Sequence, residues 1–149
     1  MKVFVWVCLL CLVSSSVIAE SIKNFTTGSY AQIVEQHQDQ PFVLVLWSLD
    51  CPPCYKELAM LAQVRKQRPF NLVLISVDGA EAVDEVNTVL TKYKLQNVDT
   101  WLFEAYIAQH LRYEIDPLWY GELPRSYLFN SQHQRQALSG ALKPKQLPW

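Results

Sequence analysis

Phe42-Val43-Leu44-Val45-Leu46-Trp47-Ser48-Leu49-Asp50-Cys51-Pro52-Pro53-Cys54 is the stretch that decides how this chain folds. Its first six residues form an unbroken apolar run with β-branched members, the pattern of a strand buried on both faces. Pro52 to Gln67 then reads as a helix, with Leu58, Leu61, Ala62 and Val64 on its apolar face and Lys56, Glu57, Arg65 and Lys66 on its wet one. Cys51 falls at the junction as the expected N-cap. Pro52 follows at the first helical position, where a missing N–H costs nothing and φ is already helical. Pro53 removes a second orphan donor, which leaves the Cys54 N–H among the few able to meet the Cys51 sulfur. Free N–H groups and the positive end of the helix macrodipole favour a thiolate there. The thiolate is the attacking species in disulfide exchange, and a two-residue spacing lets the pair close into a disulfide.

A pair of zinc ligands is the competing reading of Cys51 and Cys54. Structural zinc wants four ligands, and no second cysteine pair exists outside the first nineteen residues. His37, His110 and His133 each stand without a short-range partner, so no metal is expected. Cys8 and Cys11 belong to a different pattern. Met1-Lys2 is a short basic start, Val3 to Val13 is continuously apolar, and Val17-Ile18-Ala19 offers small residues for a signal peptidase. Residues 1–19 therefore read as a secretory signal, with residues 20–149 as one domain. An uncleaved N-terminal membrane anchor is the alternative, whereas Leu10 before Cys11 argues against a lipoprotein anchor. After cleavage only Cys51 and Cys54 remain. An exported chain with one dithiol reads as a redox worker, since a disulfide scaffold carries several bridges. Losing Lys2 takes the basic residues from 13 to 12 against 14 acids, which gives no electrostatic case for nucleic acid or a lipid surface.

Further along, Thr27-Gly28-Ser29 reads as a turn and N-cap, with Tyr30, Ile33 and Val34 at helical spacing up to Gln38. Asn71 to Val77 is a second buried strand closed by Asp78-Gly79, and Ala82 to Lys94 an amphipathic helix. Strand, helix, strand, helix with short links argues a parallel unit. Val98 to Gly121 is rich in rings: Trp101, Phe103, Tyr106, Tyr113, Trp119 and Tyr120. A helix fits Ala105 to Tyr113. Most of these rings are expected in the core, although some would line a groove beside the dithiol. Ser126 to Phe129 and Gln136 to Ser139 read as a hairpin about Asn130-Ser131-Gln132, and any final helix must be stubby.

With Glu57 after the dithiol and Leu123-Pro124 before a strand, the chain resembles the thioredoxin superfamily, and within it the exported TlpA/ResA-like thiol-disulfide oxidoreductases of bacteria. The resemblance implies a three-layer α/β fold with a central mixed sheet flanked by helices. It implies Cys51 as the exposed attacking thiol, Cys54 as the buried resolving one, and no cofactor. Pro124 would be a cis-proline facing the disulfide, with the backbone of Leu123 pairing to an extended substrate segment; the other reading is an ordinary trans proline starting an edge strand. Trp47 would pack beneath the active-site turn and belong to the substrate-binding set. Glu57 would move the proton of Cys54, or else be a solvated surface residue.

Two departures bear on direction. Cytosolic thioredoxins carry a buried aspartate where this chain has Val45, so proton handling falls to Glu57 or water. Asp50 stands where a tryptophan usually precedes the first cysteine, and an acid beside Cys51 disfavours its thiolate. With Pro52 and Pro53 in place of a histidine between the cysteines, the reduced form gains little and the couple is expected to be reducing. The implied partners are client protein disulfides, apocytochrome c among them, and a membrane thiol reductant. The implied setting is a periplasmic monomer. The alternatives are a dithiol oxidase or isomerase, or a binding module that holds copper or a partner chain and would need His110 or His133 near the thiols.

Overall fold

A computed structural model describes residues 21–147. The expected signal, residues 1–19, lies outside them. Among the described residues no helix is long and apolar enough to cross a membrane. In chain order the elements are β1 (Lys23–Phe25), α1 (Ser29–Gln36), β2 (Phe42–Trp47), α2 (Pro52–Gln67) and β3 (Asn71–Ser76). They continue with α3 (Val83–Tyr93), β4 (Asp99–Phe103), α4 (Ala108–Ile115), β5 (Arg125–Phe129) and β6 (Arg135–Ser139).

One mixed six-stranded sheet runs β1-β4-β3-β2-β5-β6. Pairs on the β1 side of β2 are parallel, and β2/β5 and β5/β6 are antiparallel. The two-residue period of β2 divides its side chains between two cores. Val43, Val45 and Trp47 join Leu58 and Leu61 of α2, Val86 and Leu90 of α3, and Leu142 and Leu147 of the tail. Phe42, Leu44 and Leu46 join Ile33 of α1 and Leu111 and Ile115 of α4. Because every residue of β2 is buried, it forms the middle layer of a helix–sheet–helix stack, as its continuous apolar run required. The final helix is a single 3₁₀ turn, Pro144–Gln146.

The turn and N-cap expected at Thr27-Gly28-Ser29 are present, whereas the reading of the ring-rich segment is corrected. Gly28, at φ 85°, is the N-cap of α1, a left-handed position that favours glycine. The Ser29 hydroxyl instead accepts the Thr26 N–H at 2.9 Å. Strands β1 and β4 carry too little pattern to be read from the sequence. The first is three residues with Lys23 and Asn24 at its start, and the second sits in the ring-rich segment. The rings there divide evenly. Trp101, Phe103 and Trp119 are buried, while Tyr106, Tyr113 and Tyr120 are exposed, Tyr120 at 92%. The tyrosines lie on the short α4 and the loops about it, outside the one stripe (Leu111, Ile115) that this helix buries.

Leu58→Ala, in the fully buried seam between α2 and the sheet, should cost about 2–5 kcal/mol of unfolding free energy. Tyr120→Ser, on the exposed rim, should change it by less than about 0.5 kcal/mol. Urea denaturation of the two variants checks the contrast.

Candidate functional site: a dithiol at a strand-to-helix junction

Cys51 is the N-cap of α2, with proline at its first positions. Cys51 and Cys54 are joined in a disulfide, with a Cα–Cα separation of 5.3 Å. Cys51 is 6% exposed and Cys54 1% exposed. The order is that of an outer and an inner sulfur, but the expectation of an open Cys51 is corrected: in the disulfide state only a sliver of it meets solvent. A second correction concerns the Cys54 N–H. It donates to the Cys51 carbonyl at 2.9 Å and not to the sulfur, because a helical first turn aims that N–H at the backbone oxygen. Pro52 and Pro53 are exposed on the first turn and Asp50 is exposed just before it.

Trp47 ends β2 and is wholly buried, packed in the same core as both cysteines. It supports the turn from below, and its expected contact with a substrate is corrected by that burial. Arg125 is the register partner of Leu46, so Pro124, one residue earlier, adjoins Trp47 at the end of the sheet from which the cysteine loop departs. The Leu123–Pro124 peptide is cis. Pro124 is buried, and Leu123 is partly exposed and packs against the core that holds the cysteines. The chain about this proline is firmly tied. The Gly140 N–H donates to the Pro124 carbonyl at 2.9 Å, and the Trp119 indole N–H donates to the Glu122 carbonyl at 2.8 Å. Arg125 donates to Asp116 at 2.8 Å and to the Ser139 hydroxyl at 2.7 Å. Asp116 also accepts the Tyr127 hydroxyl at 3.0 Å.

Glu57 does not lie on the wet face of α2, as its place in the sequence suggested. It is 1% exposed and belongs to the buried stripe Cys54, Glu57, Leu58, Leu61. The spacing from Cys54 to Leu61 already carried that signal, masked by the charge of the residue between them. The Ser126 hydroxyl donates to Glu57 Oε1 at 2.8 Å, and Oε2 is buried without a partner among the described residues. Burial pushes the Glu57 carboxyl up to about 7 from 4.5; the Ser126 hydrogen bond and the Leu142 backbone offset only part of that. Ser126 is the register partner of Val45. A carboxylate reaching in from the helix therefore occupies the ground beside the strand position where cytosolic thioredoxins carry an aspartate.

Asp78 is the residue that sequence reasoning missed, having read it only as a turn with Gly79. Its carboxylate accepts from the Ser48 hydroxyl, the Leu49 N–H and the Ser76 hydroxyl, all in or beside the loop leading to Cys51. The histidines do not gather at the sulfurs. His133 stacks its edge against Phe42 and Phe129, where β2 begins, and His110 pairs with Glu114 along α4 at 2.9 Å. Among the described residues no group of three or more His, Cys, Asp or Glu is arranged to hold a metal ion.

No protein-family model matches the chain, and no curated protein sequence does. Solved structures do. It is similar to a secreted Mycobacterium tuberculosis disulfide oxidoreductase homologous to E. coli DsbE, with 22% identity over 76% of this chain and 81% of that one and a TM-score of 0.59. A DsbF homologue from Corynebacterium diphtheriae matches at 17% identity over 76% of this chain and 71% of that one, TM-score 0.60. StoA from Bacillus subtilis matches at 22% identity over 74% of this chain and 81% of that one, TM-score 0.52. At these identities the likeness shows the fold: a thioredoxin-like mixed sheet between helices, with a CxxC disulfide at the head of α2.

The raised pKa of Glu57 makes stability depend on pH in a definite sense. Folding favours the protonated carboxyl, so this contribution is fully present below about 4.5, the unfolded value, and is lost as pH rises through the folded value of about 7. Glu57→Gln should abolish that slope and leave the variant about 3 kcal/mol more stable than wild type near pH 8. Urea midpoints taken from pH 4 to pH 9 read the difference.

Proposed function

We propose that this protein is an exported thiol-disulfide oxidoreductase that reduces client protein disulfides through Cys51 and Cys54. The observation that carries the proposal is the dithiol seated at the N-terminus of α2, with Glu57 buried one turn behind it and the cis Leu123–Pro124 peptide at the same end of the sheet. In the reduced enzyme the Cys51 thiolate attacks one client sulfur. A Cys51–client disulfide forms, and the other client sulfur leaves as a thiolate that takes a proton from solvent. Cys54 then gives its proton to the Glu57 carboxylate and attacks Cys51. The intramolecular disulfide forms, and the second client sulfur leaves and is protonated. Two electrons and two protons have passed to the client.

A Glu57 pKa of about 7 suits this relay, because near neutrality the group both accepts and returns a proton. Its Oε2, without a side-chain partner among the described residues, is the available acceptor. The backbone of Leu123, partly exposed at the end of the sheet, would pair with the client segment. A cost-free thiolate is denied by Asp50 next to Cys51, which supports the reducing direction. Re-reduction would fall to a membrane thiol reductant, and apocytochrome c thiols before haem attachment are one client class that the resemblance suggests. Residues 1–19 would direct export to the periplasm, and residues 20–149 would act there as one monomeric domain. The copper-binding reading has less support, since His133 stands at the far end of β2 from the sulfurs.

Reduction of insulin by the full chain should be abolished in Cys51→Ser, and Cys54→Ser should accumulate the mixed disulfide. Glu57→Gln should slow resolution of that intermediate by about tenfold to a hundredfold while sparing its formation. Equilibration with glutathione should place the couple near the thioredoxin value of about −270 mV, and a value near −120 mV would overturn the reducing direction.

A further inference from the structure

Three donors converge on the half-buried carboxylate of Asp78. The Ser48 hydroxyl donates to Oδ1 at 2.9 Å, the Leu49 N–H to Oδ2 at 3.0 Å, and the Ser76 hydroxyl to Oδ2 at 2.6 Å. The same Ser48 hydroxyl accepts the Asp50 N–H at 3.1 Å, and the Ser48 carbonyl accepts the Cys51 N–H at 3.2 Å. From the other side, the Tyr55 hydroxyl of α2 donates to the Leu49 carbonyl at 2.7 Å. Every residue between the end of β2 and Cys51 is thereby tied, and Asp78 holds two of the three directly. The β2/β3 register delivers it there: Trp47 pairs with Ser76, and the Val77 N–H reaches back to the Trp47 carbonyl at 2.9 Å.

An amide in place of this carboxylate would satisfy fewer partners, since an asparagine offers a single acceptor oxygen and three donors arrive. The charge also has a consequence. The acidic groups on the elements about Cys51 are Asp50 next to it in sequence, Asp78 bound to Ser48 and Leu49, Tyr55 and the buried Glu57 of α2, and Tyr93, whose ring lies 6.5 Å from that of Tyr55. The Glu81 carboxylate folds back over Gly79, next to Asp78. Tyr55 already registers this field: its hydroxyl holds its proton more tightly than usual, first through burial, then through Asp78, Tyr93 and Asp50. All of these groups are acidic, so each one that ionises adds negative charge, whereas the head of α2 offers partial positive charge.

We propose that Asp78 is a positioning residue of the dithiol: it fixes the Ser48–Asp50 loop that delivers Cys51, and it sets a negative charge there that opposes the helix dipole and weakens the Cys51 thiolate. The disulfide is neutral and the reduced pair becomes anionic on ionisation. A nearby carboxylate therefore penalises only the reduced form and favours release of its two electrons and two protons to a client. The inference rests on the dithiol reading above for its functional meaning.

The test is the pH dependence of Cys51 alkylation by iodoacetamide in the reduced full chain. Asp78→Asn should lower the midpoint of that profile and raise the rate near pH 7 by about threefold to tenfold. Ser48→Ala, which removes one donor and keeps the charge, should leave the midpoint in place. An unmoved midpoint in Asp78→Asn overturns the proposal and leaves Asp78 as a purely structural tie. Should that variant fail to fold, wild-type protein decides the matter. By reciprocity, the ¹³C resonance of the Asp78 carboxyl should shift at the pH where Cys51 ionises, and a flat resonance there overturns the coupling. Neither measurement uses a client, so a chain inert toward insulin would sink the proposed function without touching this result.

Discussion

Antiparallel pairing of β5 against β2 is the constraint on which the site depends. Leu46 opposite Arg125 brings Pro124 to the end of β2 where the cysteine loop begins, and Val45 opposite Ser126 sets a hydroxyl beneath α2. A slip of one residue would turn Ser126 toward the other core and carry Tyr127 into the space that Glu57 fills. Register is strongly specified here because both faces are buried. Each β2 side chain has a fixed partner set, Phe42, Leu44 and Leu46 on one side and Val43, Val45 and Trp47 on the other. The chemistry of the sulfurs is thus set by hydrophobic order some distance beneath them.

Charge is arranged about that frame in two environments. Glu57 lies in the dry seam between helix and sheet, where losing water outweighs its one strong hydrogen bond and the proton is retained to about pH 7. Asp78 is half-buried, and its carboxylate accepts from three donors. Two carboxyl groups of this end of the fold therefore sit in different surroundings, one dry with a single strong donor and one half-buried with three.

Much of this was legible in the residues. The apolar run into Cys51-Pro52-Pro53-Cys54 located β2, the head of α2 and the dithiol together, since strand period, proline placement and cysteine spacing all agree. Glu57 was half legible. An amphipathic reading assigns a charged residue to water, and that charge masked a spacing which already put it in the buried Cys54–Leu61 stripe. β1 and β4 could not be read, because an edge strand of three residues and a five-residue strand amid aromatics have no pattern of their own and are held by their partners. Asp78 was invisible for a related reason: its donors come from Ser48 and Leu49, thirty and twenty-nine positions away, and no local spacing encodes such a meeting.

The position of β2 between β3 and β5 has a consequence for the order in which the site comes into being. The sulfurs lie in the first half of the chain and Pro124 in its last quarter, with 70 positions from Cys54 to Pro124. As the polypeptide grows, the cysteine pair emerges well before Leu123 and Pro124, and contacts this remote form slowly. The nascent chain consequently carries its cysteine pair before the Leu123–Pro124 segment at the same end of the sheet exists.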